Sequence, residues 1–138
     1  MRPPVAPYLT VSPAMAAVAF YTAVFGARQK AIMPALDGLR IMHCELEING
    51  GSVMLADAFP EFGHTRIPLP GELATASVSL EYAEAKTVDE IFAKATGLGA
   101  KAHASASLGA ADAFAVALTL GNIRILRRPR KLENACKF

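Results

Sequence analysis

His43 and Glu45 stand two residues apart in Arg40 to Ile48 (RIMHCELEI), a segment in which apolar and polar side chains alternate. On a strand, that spacing puts an imidazole and a carboxylate on one face. There the carboxylate can orient the ring, or the two can hold a divalent ion. Two donors make a weak metal site, and a hydrogen-bonded or solvated pair is the plainer role. Alternation elsewhere adds Tyr8, Thr10, Asp57, Thr75, Ser77, Ser79 and Glu81 to the same set, with His103 as a further member. Hydroxyls, carboxylates and imidazole together suit a polar or cationic organic ligand. Plainer roles stand beside these: Tyr8 as a half-buried strand aromatic, His103 as an exposed strand residue, His64 as a loop residue. Asp57 with Glu61 could bind a cation, or Asp57 could close a strand-end turn.

Other chemistries find no support. The chain has no phosphate-binding glycine loop, no GxGxxG after a strand, no GxSxG elbow and no CxxC. Cys44 and Cys136 read as free thiols in a reducing compartment. Net charge is +2, with much of the basic excess in Arg124 to Lys131 (RILRRPRK). Without tryptophan or interleaved surface aromatics, that run reads as a solvated strand end, and no nucleic-acid partner is expected. No apolar run reaches the ~18 residues of a membrane span, and Arg2-Pro3-Pro4 leads into a strand pattern instead of a secretory signal. A cytoplasmic location, away from membranes, is the expectation.

The elements that must position the polar set are local and readable. Tyr8 to Val11 alternates as a strand, with Leu9 and Val11 on one side. Ser12 is placed to cap a helix with Pro13 as its first residue, and Met15, Val18, Phe20, Tyr21 and Phe25 form its apolar stripe. Gly26 stops it as a left-handed cap. Arg28 to Pro34 reads as a second strand and Asp37-Gly38 as a turn. Arg40 to Ile48 is the third strand, Asn49-Gly50-Gly51 a hairpin turn, and Ser52 to Asp57 the fourth strand.

Residues 58–73 hold prolines and glycines with little periodicity and read as a linker. Thr75 to Tyr82 alternates again, Thr87 and Glu90 form a capping box, and Val88, Ile91, Phe92 and Ala95 give the helix its apolar face. Gly97 and Gly99 stop it. Ala100 to Ser105, Ala113 to Leu118 and Asn122 to Arg127 supply three more strands. Both halves are βαβββ, and short residue echoes about seventy positions apart support an internal repeat. Helix-facing strand positions are then Leu9, Val11, Met42, Cys44, Leu46, Val78 and Leu80.

In Pro7 to Val11, Phe20-Tyr21 with Val24 to Ala27, and Met42-His43 with Glu45 to Asp57, the chain resembles the vicinal-oxygen-chelate superfamily. That superfamily includes glyoxalase I, fosfomycin- and bleomycin-resistance proteins and extradiol dioxygenases. The likeness is nearest the small bacterial glyoxalase-like, demethylubiquinone-methyltransferase-like members. The resemblance implies an α+β fold of two βαβββ modules whose mixed sheets curl around a cleft, usually in a homodimer. On this view residues 1–138 form one glyoxalase-like domain: module one 5–57, linker 58–73, module two 74–128 and a basic tail 129–138.

Metal-dependent members hold a divalent ion with four side chains that the resemblance places near Ala6, Leu55, Thr75 and Ile125. None of these is a good ligand, so no metal cofactor is expected there, and a divalent ion at a relocated site such as His43 with Glu45 is the alternative. The stretch Ala110 to Ala115 replaces large polar residues of relatives with alanine, which enlarges and greases the pocket. The expectation is a protein that holds a small organic ligand in the cleft. A metal-dependent lyase, isomerase or dioxygenase is one alternative, and a degenerate homologue without ligand is the other.

Overall fold

The computed structural model describes residues 4–63, 78–104, 114–117 and 123–126. A first compact unit is built from β1 (Tyr8–Thr10), α1 (Ala14–Phe25), β2 (Arg28–Pro34), β3 (Ile41–Ile48) and β4 (Gly51–Ala56). A second is built from β5 (Val78–Leu80), α2 (Ala85–Gly97), β6 (Lys101–Ala104), β7 (Phe114–Ala117) and β8 (Ile123–Leu126). A short 3-10 turn, Pro60–Phe62, follows the first.

The two units share one topology. Each forms a four-stranded mixed sheet, ordered β1-β4-β3-β2 in one and β5-β8-β7-β6 in the other. The outer first strand runs parallel to the fourth, and the other pairs are antiparallel. The α+β architecture of two βαβββ modules is therefore present, and the repeat read from short residue echoes has a structural counterpart.

Local signals explain the sharpest boundaries. Gly26 adopts φ 65°, and its N–H donates to the Thr22 carbonyl, which ends α1. Asn49 and Gly50 both take positive φ, 49° and 77°, as a two-residue turn that matches the strand twist requires. That turn pairs Ile48 with Gly51 and sets the register of β3 against β4. Cys44, Leu46, Val53 and Leu55 are consequently buried, together with Val18, Tyr21 and Phe25 of α1. Each large side chain so buried contributes about 1.5–3 kcal/mol.

Four expectations need correction. Ser12 does not cap α1: Pro13 holds the N-cap position, the helix has no local side-chain cap, and the Ala14 N–H instead donates to Asp57 Oδ1 at 2.9 Å. Thr87 does not cap α2 either, because the helix starts two residues earlier, at Ala85, with Glu84 as N-cap and no side-chain bond. Alanine and lysine are good helix formers, so propagation toward the N-terminus overrides the box. Met15 is exposed, and Ala14, Ala17 and Val24 complete the buried stripe that also includes Val18, Tyr21 and Phe25. Met42 is exposed while Ile41 is buried, since pairing with β2 steps from His43 to Ile41 at an irregularity that breaks the alternation.

Candidate functional site

The sheet face opposite the buried Cys44, Leu46, Val53 and Leu55 carries the polar residues of β1, β3 and β4. Register brings them together. Tyr8 lies beside Met54, Met54 beside Glu45, and His43 opposite Met33. Directly opposed residues share a face, so this surface presents Tyr8, Met54, Glu45, His43 and Met33.

The closest contact on it joins β1 to β3. Tyr8 Oη lies 3.0 Å from His43 Nδ1 and 3.3 Å from the Met42 carbonyl oxygen, and the two rings are 5.6 Å apart. Partial burial, then the neighbouring Cys44 thiol, push the Tyr8 phenol above its ordinary value. The phenol therefore stays protonated at neutral pH. His43 Nε2, the other ring nitrogen, is shielded from bulk water and has no hydrogen-bond partner among the described residues. A buried polar atom left so costs about 1–3 kcal/mol until something completes it. Beside this pair the Ser52 hydroxyl donates to Glu45 Oε1 at 3.2 Å. Farther along β3, Glu47 receives Arg28 at 2.6 Å and Lys30 at 3.3 Å, and these cations hold its carboxyl below the usual range.

Asp57 is not part of this face. It is 6% exposed, accepts the Ala14 N–H on Oδ1 at 2.9 Å and the Ile41 N–H on Oδ2 at 2.7 Å, and donates its own N–H to the Ile41 carbonyl. Counting alternation from the buried Val53 and Leu55 turns Asp57 inward, which the sequence grouping had reversed. It ties the start of α1 and the start of β3 to the end of β4. Nor does Glu61 join it around a cation: Glu61 accepts Arg40 at 2.6 Å, and Arg40 also donates to Asp37 at 2.6 Å while lying 4.2 Å over the Phe59 ring. Asp37, which also accepts the Leu39 and Arg40 N–H groups, is held down at about 2 by those backbone bonds and by Arg40.

Thr10 is half-buried on β1. Ser79 and Glu81, on and just after β5, are exposed. His103 lies on β6 opposite Ala115. Thr75, Ser77 and His64 lie outside the described residues. Ser52, Met33 and Met54 were not in the sequence set, although the Asn49-Gly50 turn fixes β4 against β3 and so signals Ser52 and Met54. Tyr82 was also missed. Its hydroxyl is buried without a partner among the described residues, and burial raises its phenol.

The chain aligns with known structures over nearly its whole length. A genomically encoded fosfomycin resistance protein, FosX, from Listeria monocytogenes superposes with a TM-score of 0.65 at 16% identity, covering 97% of this chain and 96% of that one. TioX from Micromonospora sp. ML1 gives 0.59 at 23% identity, with 91% and 95% covered. A possible glyoxalase from Bacillus cereus gives 0.59 at 20% identity, with 87% and 94% covered. The chain has the vicinal-oxygen-chelate fold. No protein-family model matches it. In sequence it is 32% identical over 100 residues to uncharacterised proteins of Mycobacterium bovis and Mycobacterium tuberculosis. The match spans 64% and 58% of the length of those relatives.

FosX has also been captured with manganese(II) and sulfate. Of the four positions that the resemblance implies for a metal, the three described ones carry no side-chain donor. Ala6 has no donor, Leu55 is fully buried on the helix side of the sheet, Ile125 is a hydrocarbon on β8, and Thr75 lies outside the described residues. Among the described residues no group of three or more His, Cys, Asp or Glu side chains could hold a metal. Nor is any described helix long and apolar enough to cross a membrane.

Proposed function

We propose that the protein is a glyoxalase/bleomycin-resistance-like binder that holds a small organic ligand against the polar face of its first sheet. The observation that carries this reading is His43: its Nδ1 is engaged by Tyr8, its Nε2 is buried and has no partner among the described residues, and it stands on the face away from the helix. A ligand that carries a hydrogen-bond donor can supply the bond that Nε2 lacks there. Glu45 with Ser52, and the phenol of Tyr8, add polar groups that would orient the molecule, while Met33 and Met54 add apolar surface.

The reading places the inherited metal chemistry outside this chain's repertoire, because the four corresponding positions offer no suitable donor set. Binding without chemistry, in the cytoplasm and as a homodimer, completes the proposal.

The test is a titration of the full chain with a panel of polar and cationic organic molecules, and separately with Ni, Zn, Mn, Fe and Mg ions, followed by thermal unfolding. A molecule that binds only the native state stabilises it by RT ln(1 + [L]/Kd). Binding of an organic molecule, lost in His43→Ala, is the expected result. Stabilisation by a divalent ion at one equivalent, lost in both His43→Ala and Glu45→Ala, would replace the binder with a metalloenzyme at a relocated site.

A further inference from the structure

Among the described residues the Tyr8 hydroxyl has two hydrogen-bonding neighbours, and it has one proton. It lies 3.3 Å from the Met42 carbonyl oxygen, which can only accept, and 3.0 Å from His43 Nδ1. Both contacts are hydrogen bonds in one arrangement alone: the phenol donates to the carbonyl, and an Nδ1–H donates to the phenol oxygen. In the reverse arrangement the phenol spends its proton on Nδ1, and two oxygens face each other with no hydrogen between them. A doubly protonated ring would keep the Tyr8 contact but leave a charged N–H buried without an acceptor, the costlier state. This arrangement sets the proton on Nδ1, and an uncharged ring then carries its lone pair on Nε2.

Resting on the ligand-binding reading of this face, we infer that Tyr8 is a positioning residue that fixes the tautomer of His43, so that the site takes its ligand through a hydrogen-bond donor, an ammonium group above all. A carboxylate or phosphate would set its lone pairs against that of Nε2. The surroundings agree with an ammonium on an apolar body. Met33, directly opposite His43 on β2, is 55% exposed, and Tyr8, whose ring lies 5.6 Å from the imidazole, is 53% exposed. Thioether and aromatic surface next to a lone pair suits a molecule whose charged head is compact and whose remainder is hydrocarbon.

The experiment reads the ring nitrogens themselves. Long-range proton–nitrogen correlation spectra of labelled full chain separate the three histidines, and His43→Gln assigns the resonance that disappears. At neutral pH the ligand-free protein is expected to show His43 with a protonated Nδ1 and a bare Nε2. Tyr8→Phe should move it toward the Nε2–H form that free histidine favours. A wild-type ring already in the Nε2–H form would overturn the inference whatever Tyr8→Phe does. Benzylamine and benzoate, alike in shape and opposite in head group, then test the ligand class. Benzylamine should shift the His43 Nε2 resonance and benzoate should leave it in place; the opposite preference overturns the assignment. A panel molecule that stabilises the fold while His43 stays unmoved retires this inference and leaves ligand binding standing. An Nδ1–H ring with no stabilising molecule in any class retires the binding reading, and with it the ligand class, while the Tyr8 positioning role stands.

Discussion

The two units share a topology but not its chemistry. In the first, the residue that follows β4 is Asp57, whose carboxylate accepts from the starts of both α1 and β3. In the second, the residue that follows β8 in the sequence is Arg127, whose side chain has only donors to offer, and α2 begins at Ala85 with no side-chain bond from its N-cap Glu84. The third strands differ in the same sense: β3 carries His43, Glu45 and Glu47, whereas β7 is Phe114–Ala117, hydrocarbon throughout. Topology needs little beyond alternating strands joined by short connections. Polar clamps and sites need particular atoms, and the first copy holds them.

Breaking the first clamp should have the largest effect. Asp57→Ala leaves two backbone N–H groups without acceptors in the core and is expected to cost about 3–5 kcal/mol, read as a lower denaturant midpoint with faster amide exchange at Ala14 and Ile41. Asp57→Asn keeps one acceptor oxygen and should fall between the variant and the wild type. Installing a cap where Glu84 makes no side-chain bond sharpens the contrast: Glu84→Ser, at an extended N-cap backbone, should gain about 0.5–1 kcal/mol. No gain would mean that other groups already satisfy the first turn of α2. The smallest effect belongs to the exposed Asp37. Its carboxyl is held down at about 2 in the folded chain, so its contribution is present above its unfolded value of 3.8 and fades as pH falls toward 2. Asp37→Asn should therefore melt slightly lower than wild type near pH 6, and the two curves should converge by about pH 2.

Short-range physics made most of the fold readable. Gly26, the Asn49-Gly50 turn, the strand Arg28–Pro34 and the apolar face of α2 each depend on residues within a turn or two of one another, so the pattern in the chain is the cause itself. The cap of α1 was not readable in that way, because its acceptor lies 43 residues away on Asp57. Ser12 was the local candidate, and a tertiary partner displaced it. Met42 fell to an irregularity in pairing that no alternation count foresees. In the site, alternation correctly placed Tyr8, His43 and Glu45 on one face. It did not show that Tyr8 reaches across β4 to His43, since that contact depends on strand order as well as on side-chain direction. That Nε2 is buried without a partner among the described residues was likewise beyond reach, being a property of packing around the ring.

Whether His43 is kept for a ligand or for the fold is decided by the unfolding free energy of ligand-free His43→Leu. If Nε2 goes unpartnered until a ligand arrives, a hydrocarbon of similar size should leave stability unchanged or raise it by about 1 kcal/mol, while abolishing stabilisation by whichever organic molecule binds the wild type. A loss of more than about 2 kcal/mol in the absence of ligand would contradict the account, because it would make His43 a satisfied structural residue.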